Sequence, residues 1–300
     1  MARSRARKPR SRRRSPADLP LRPILYVVVI ALALAAVAFG SQRLWHAAVG
    51  RPAFRVDLHA LSLNDCPEWV VAGRMGRELH AYLDEVPQGK SIFDEDLADL
   101  VRQSLERCPW VLEVTRVRRL LPDSLSIGAR FRRPAGVVEC GGRTYMVDAD
   151  GHWLRDDLFC APPEWADALQ PVIVDALLDT APPLGERWDG PRLAVGARLC
   201  EFLRREGLFG QLRVVSVDVT GVGRAPEPDI VLTVAEGAQI KWGRSSVYER
   251  VEGLQQPVFL TPDSEKLDML LSKLRDYPGL RGIRYVDLRF HGQVVFSESD

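Results

Sequence analysis

Histidine and cysteine are scarce in this 300-residue chain, and neither occurs in the spacings that metal or redox chemistry needs. The 5 histidines (46, 59, 80, 152 and 291) stand in unrelated contexts, with no His-Glu-x-x-His pair to hold zinc. The 5 cysteines (Cys66, Cys108, Cys140, Cys160, Cys200) contain no Cys-x-x-Cys step, which removes zinc-ribbon and thioredoxin-like readings. A Gly-x-Ser-x-Gly elbow and a Walker A loop are also missing, so serine-hydrolase and P-loop classes lack their signatures. His152, beside Asp150 and Asp156, is the best acid–base candidate, against the simpler reading of a hairpin-surface residue. No catalytic, cofactor-binding or metal-binding residue is therefore expected. The cysteines admit two readings: one or two disulfides, with Cys140–Cys160 the most local pairing, or small buried hydrophobes.

Charge is nearly balanced overall, at +1, but it is unevenly placed. Nine of the 41 Lys and Arg lie in residues 1–22, against Asp18 alone among the 40 Asp and Glu. Residues 23–300 then carry 32 basic and 39 acidic groups, a net of −7. A basic tail on an acidic body argues against nucleic acid as the partner, because the body would repel phosphate.

From Pro23 to Gln42 no charge occurs, and Ile24–Gly40 is almost wholly apolar. About twenty residues at ~1.5 Å each span the ~30 Å hydrocarbon layer. Tyr26 and Trp45 sit near the ends, where amphipathic rings favour the interface. The pattern predicts a basic cytoplasmic tail over 1–22 and a transmembrane helix over 23–45, with everything beyond it extracytoplasmic. Ala36-Val37-Ala38 offers a small-x-small cleavage step, but the long basic region and long apolar run favour a retained anchor over a signal peptide.

Beyond the anchor the periodicity alternates between helix and strand. Phe54-Arg55-Val56-Asp57-Leu58 reads as a short strand of period two. Pro67 suits a helix first turn, with Glu68 at its positive end, and Ala72, Met75, Leu79 and Leu83 mark one buried face. Ser91 with Asp94 offers a capping signal for a second helix striped by Leu97, Leu100, Val101 and Leu105, which Cys108-Pro109 stops. Trp110–Arg118 reads as extended, Leu121-Pro122-Asp123-Ser124 as a turn, and Leu125, Ile127, Ala129 and Phe131 as one face of a strand. Strand, helix, helix, strand, strand predicts an α+β layer with two helices on one sheet face.

The ordered pieces Pro-Trp-Val (109–111), Arg-Arg (118–119), Pro-Asp-x-Leu (122–125) and Arg-Arg-Pro-Ala (132–135), behind one transmembrane helix, resemble the POTRA domain of the FtsQ/DivIB cell-division proteins. The resemblance implies a POTRA domain over 52–133 and a β-rich FtsQ-like domain over 134–300.

Within 134–300, Cys140-Gly141-Gly142 and Asp148-Ala149-Asp150-Gly151 are turn signals flanking Thr144–Val147. The Asp-x-Asp-Gly run invites a calcium loop, but the other EF-hand positions are missing and a plain turn is preferred. Residues 155–190 match no motif and predict an elaborated loop. A helix over 192–205 buries Leu199, Cys200 and Leu203, and strands follow at 214–219, 229–234 and 239–242. Thr261 as N-cap and Pro262 at the first position open a helix with Leu267, Leu270, Leu271 and Leu274 on one face. Strands at 284–290 and 293–297 close the chain. Val147-Asp148 with Gly151, Ile240-Lys241-Trp242-Gly243 and above all Tyr285-Val286-Asp287-Leu288-Arg289-Phe290 are similar to steps of the same family.

The resemblance implies a noncatalytic bitopic scaffold of the division septum in the bacterial cytoplasmic membrane, with its N-terminus cytoplasmic. It implies partners of FtsB and FtsL type, bound by strand addition to the last sheet edge. Asp287, Arg289 and Phe290 fall on the implied partner-binding strand. The plainer alternative makes Asp287 and Arg289 a solvated face and Phe290 core. Another POTRA-bearing class, envelope transport or secretion, would need a transmembrane β-barrel or a tandem array, and neither is expected here.

Overall fold

The computed structural model describes residues 21–58, 61–64, 66–67, 70, 75–155, 171–174, 180–224, 229–246 and 260–298. The basic tail up to residue 20, His59, Glu68, Ala72, Asp156 and Cys160 lie outside them. The chain divides into two compact units, residues 1–54 and 55–300.

In the first unit, helix α1 runs Leu21–Val49. Pro23 sits in its first turn, where the missing N–H has no intrahelical partner to lose. The stretch Leu25–Ala47 is 23 residues, long and apolar enough to cross a membrane. Its apolar side chains are exposed all round, from Leu25 to Trp45. A helix apolar on every side has no face to give to water.

The second unit begins with Arg55, which bridges Ser91 singly. The alternation over 54–58 does not become a strand. Val56 and Leu58 are buried, and the backbone is tied by single bonds to separate places, Val56 N–H to Lys90 O and Asp57 N–H to Asp123 O. Period-two burial sets where side chains point, and a ladder also needs a continuous neighbour. The first strand is β1, Ser62–Asn64. Helices α2 (Met75–Leu83) and α3 (Leu97–Glu106) follow, then strands β2 (Val111–Leu120) and β3 (Ser124–Phe131).

These three strands form one sheet in the order β1-β3-β2, with β1 parallel and β2 antiparallel to the central β3. Met75, Leu79 and Leu83 of α2, and Leu97, Val101 and Leu105 of α3, are buried as the stripes predict. Each such side chain contributes about 1.5–3 kcal/mol of burial. The second helix begins at Leu97, later than the capping signal suggests. The Asp94 carboxylate accepts from Ser91 N–H at 2.9 Å, the reciprocal bond of a capping box, but it closes a separate turn, and the helix itself starts after Asp96 with no side-chain cap.

A second sheet of nine described strands comprises β4 (Pro134–Cys140), β5 (Arg143–Asp148), β6 (Trp153–Leu154), β7 (Val172–Val174), β8 (Val214–Asp218), β9 (Val231–Val234), β10 (Gln239–Lys241), β11 (Ile283–Phe290) and β12 (Gln293–Glu298). Helix α4 (Pro191–Arg205) lies between β7 and β8 in sequence, and α5 (Asp263–Asp276) between β10 and β11. The strand order is β12-β11-β10-β9-β8-β7-β4-β5-β6. Val138, Ile173, Val217, Leu232, Ile240, Val286 and Phe296 lie in register across seven strands and build the core with α4 and α5. The neighbouring row, Val174, Asp218, Val231, Lys241, Asp287 and Val295, faces the other way and is mixed in polarity. One face on helices and one mixed face is the usual result of period-two sequence. Helix α4 approaches β7 so closely at Gly196 that a Cβ there would lie 2.8 Å from Ile173 Cγ2.

Two further features differ from the sequence reading. Val172–Val174, inside the stretch read as a loop, is a central strand between β4 and β8. Three residues are too short a run to show periodicity. Thr261 does not cap α5: its hydroxyl is directed to Arg289 O at 3.3 Å, and Pro262 takes the capping position without a side-chain bond.

Candidate functional site

The two ends of the large sheet are finished differently. At β6, Trp153 N–H donates to Glu186 O at 3.1 Å, Gly185 N–H to Trp153 O at 3.1 Å, and Trp188 N–H to Gly151 O at 2.9 Å. Residues 185–188 thus cover that edge, with the Trp188 ring packed edge-on against Tyr145. At the other end, β12 pairs only with β11, so its outward N–H and C=O groups have no strand beside them among the described residues. Such an edge is a template for another strand.

The residues singled out from sequence sit on the penultimate strand, because β11 is flanked by β10 and β12. Among the described residues β12 is the open strand at this end, so Asp287, Arg289 and Phe290 lie one strand in from the edge. Asp287 is 4% exposed and accepts two bonds from Arg289, Nε to Oδ1 at 2.9 Å and Nη2 to Oδ2 at 2.7 Å. The backbone N–H of Arg289 adds a third at 3.2 Å. Burial pushes the Asp287 carboxyl up, but the Arg289 hydrogen bonds, helped by the charges of Arg289 and Lys241, outweigh it and hold the carboxyl below the usual range. The same bonds raise the Arg289 guanidinium. Asp287 is therefore not part of a solvated face.

Phe290 is not core either. It is 48% exposed, with the Arg289 guanidinium 5.8 Å from its ring. The His291-Gly292 turn after it is pinned to α5 by Glu265, which accepts from Gly292 N–H at 2.9 Å and meets His291 Nδ1 at 3.0 Å. On β12, Phe296 turns inward against Tyr277 and lies under the Lys273 ammonium, 4.2 Å from the ring centroid. Val295 turns outward and is 43% exposed. Sequence reasoning missed Val295 as a site residue. The signal was there, since Gln293-Val294-Val295-Phe296 cannot place two adjacent valines on one face.

A second cluster holds the strand ends in place. Asp263, 2% exposed, accepts from Trp242 Nε1 at 2.7 Å, Ser245 Oγ at 2.6 Å and Ser246 N–H at 2.8 Å. The Lys266 ammonium, 1% exposed, donates to Arg244 O and stands 3.7 Å from Asp263. Burial lowers the Lys266 ammonium, and Asp263 works against that.

A cleft of about 510 Å³ lies between the two sheets, lined in part by Arg132, Asp148 and Asp150. Arg132 Nη1 donates to Asp148 Oδ2 at 2.8 Å and meets His152 Nδ1 at 3.0 Å, and Asp148 Oδ1 accepts from the N–H groups of Asp150 and His152. The Asp-x-Asp-Gly step is a turn whose first carboxylate is already engaged by its own backbone and an arginine. Cys66, Cys108 and Cys200 are free thiols, raised by burial to about 11, about 11 and about 12. Cys108 and Cys200, buried in this way, act as small hydrophobes, while Cys66 is half-buried.

The chain thus has an apolar helix followed by an α+β body whose sheet ends, among the described residues, in the open strand β12. No family model matches the chain. The cell division protein FtsQ of Anaeromyxobacter sp. (strain K) is 26% identical over 192 residues, 64% of this chain. The match spans 61% of the length of that relative. This is a distant likeness, and it agrees with the family suggested by the motifs.

Proposed function

We propose that this protein is a bitopic scaffold of the bacterial division machinery, without chemistry of its own, that binds other division membrane proteins through its extracytoplasmic part. In this reading α1 spans the cytoplasmic membrane once, the N-terminus is cytoplasmic, and the body acts at the septum. Residues 52–133 form a POTRA domain, in keeping with the order β1-α2-α3-β2-β3 and the central β3. Residues 134–300 form the β-rich docking domain. The partners are of FtsB and FtsL type, as the likeness to a cell division protein FtsQ suggests.

The observation that carries the proposal is the open edge of β12, beside the exposed Phe290 at the end of β11. An incoming strand gains main-chain hydrogen bonds from the edge, and specificity from the side chains that flank it. Asp287 and Arg289 position Phe290 and the turn, and Phe290 supplies the apolar contact. The test replaces Phe290 by Glu and measures co-purification of an FtsB-like partner from membranes. Loss of the partner with unchanged thermal unfolding supports the proposal. Retained binding refutes the assignment of this edge.

A further inference from the structure

The turn joining β2 to β3 has an unusual combination of side chains. Leu121 is 68% exposed and Leu120 45% exposed. On β2, Arg116 pairs with Gly128 and Arg118 with Ser126, while Val117 pairs with the buried Ile127. Arg116, Arg118 and Leu120 therefore share the sheet face turned away from the helices, since cross-strand partners lie on one side. All three are exposed. Arg119 turns to the helix side and donates to Asp94 O at 2.6 Å, which leaves the acidic start of α3 on the opposite face.

This turn is also bonded to the first residues of the second unit. Asp57 N–H donates to Asp123 O at 3.2 Å, so the turn is bonded to a residue eight positions beyond Val49. Eight residues reach no further than about 28 Å. Arg51 and Arg55 on the connecting stretch are exposed and basic, against the carboxylates of Asp57 and Asp123 nearby. The local balance of these side chains with Arg116 and Arg118 is positive, on a body that is negative overall.

We infer that the β2–β3 turn contacts the surface of an anionic bilayer. Leu120 and Leu121 enter the interfacial layer while Arg116 and Arg118 lie at lipid phosphates. Leucines beside arginines are the composition of interfacial anchors, with the apolar groups buried and the guanidinium groups at headgroup level. The inference rests on the reading that α1 spans the membrane, which brings the turn within reach of headgroups.

The test uses the full chain in nanodiscs of phosphatidylcholine alone and in discs containing phosphatidylglycerol. Hydrogen exchange is read at the amides of Leu121 and Asp123. Exchange there should slow in the anionic discs by about fivefold for each arginine engaged. Arg116→Glu with Arg118→Glu should remove the difference, as should Leu120→Ser with Leu121→Ser if the charge reversal disturbs folding. Equal exchange in both disc types overturns the inference, as does protection that appears only when a partner protein is added. Alkaline carbonate extraction of native membranes reports on α1 separately. Release of the chain by carbonate would defeat the spanning reading, whereas retention with equal exchange defeats the lipid contact alone.

Discussion

Arg289 closes on the carboxylate of Asp287, two residues earlier on the same strand, through paired bonds of 2.9 and 2.7 Å. Residues two apart on a strand face the same way, so the pair spans one pleat. The register of β11 on β12 shifts between Asp287 and Phe290, so that Phe290 pairs with Gln293, on the same face of β12 as Val295, and is half exposed. The ion pair thus sits at the irregularity that precedes Phe290, with the Arg289 guanidinium 5.8 Å from its ring.

Asp287→Asn should lower stability by about 1 kcal/mol at neutral pH, because Arg289 loses a charged acceptor but remains partly solvated. The Asp287 carboxyl lies below its ordinary value in the folded chain. Its stabilising effect is therefore fully present above the unfolded value, about pH 4, and is lost as pH falls through the lowered one. Urea unfolding of the chain in detergent, followed by tryptophan fluorescence, should show the two proteins diverging above about pH 4 and converging in acid.

Gly243→Ala should cost more than its single methyl group suggests. Gly243 has φ +73, and a Cβ there would lie 2.6 Å from Arg289 Cγ and 3.1 Å from Cδ. The substitution adds left-handed strain of about 1 kcal/mol and pushes Arg289 off Asp287. A loss of about 1–3 kcal/mol in the same unfolding measurement is expected, together with weaker partner binding at Phe290.

Much of this architecture was legible in the sequence where a period persisted. The stripes Met75-Leu79-Leu83 and Leu97-Val101-Leu105 led directly to α2 and α3, and the alternation over 125–131 led to β3. β7 was illegible because three residues of valine and isoleucine carry no period of their own. Its assignment comes from pairing with β4 and β8, distant in sequence. Thr261-Pro262 and Ser91-Asp94 both matched capping signals, yet Thr261 turns to Arg289 O, and the Ser91–Asp94 bond forms on a turn that ends before the helix begins at Leu97. The candidate site was half legible. Tyr285–Phe290 reads as one strand at this end of the sheet, but strand order, which makes β12 and not β11 the edge among the described residues, is set by nonlocal contacts.

Asp263→Ala should be the most destabilising of these substitutions. It strands Trp242 Nε1, two serines and the Lys266 ammonium in a site where both Asp263 and Lys266 are almost fully buried. Removing one partner of a buried charge pair costs about 3–5 kcal/mol. Thermal unfolding of the purified chain should shift sharply downward. Asp263→Ala with Lys266→Met should recover part of the loss, because the second change removes the uncompensated ammonium.

Val295→Asp separates the edge of β12 from its fold. Val295 is 43% exposed on the edge strand and lies opposite the already paired Asp287, so a new carboxylate there meets water on one side and a like charge on the other. The stability cost should stay near 1 kcal/mol, since little apolar area is lost and only one repulsive cross-strand pair is added. Binding should suffer far more, because a charge on an edge strand opposes pairing with a second strand that must desolvate it. The expected outcome is loss of partner co-purification, with a thermal midpoint within a few degrees of the parent. Val295→Thr keeps the shape and the β-branched preference without the charge, and it should retain most binding. If Val295→Asp and Phe290→Glu both bind normally while the fold is intact, the partner sits elsewhere. If only Phe290→Glu fails, the aromatic contact matters and strand addition along β12 does not.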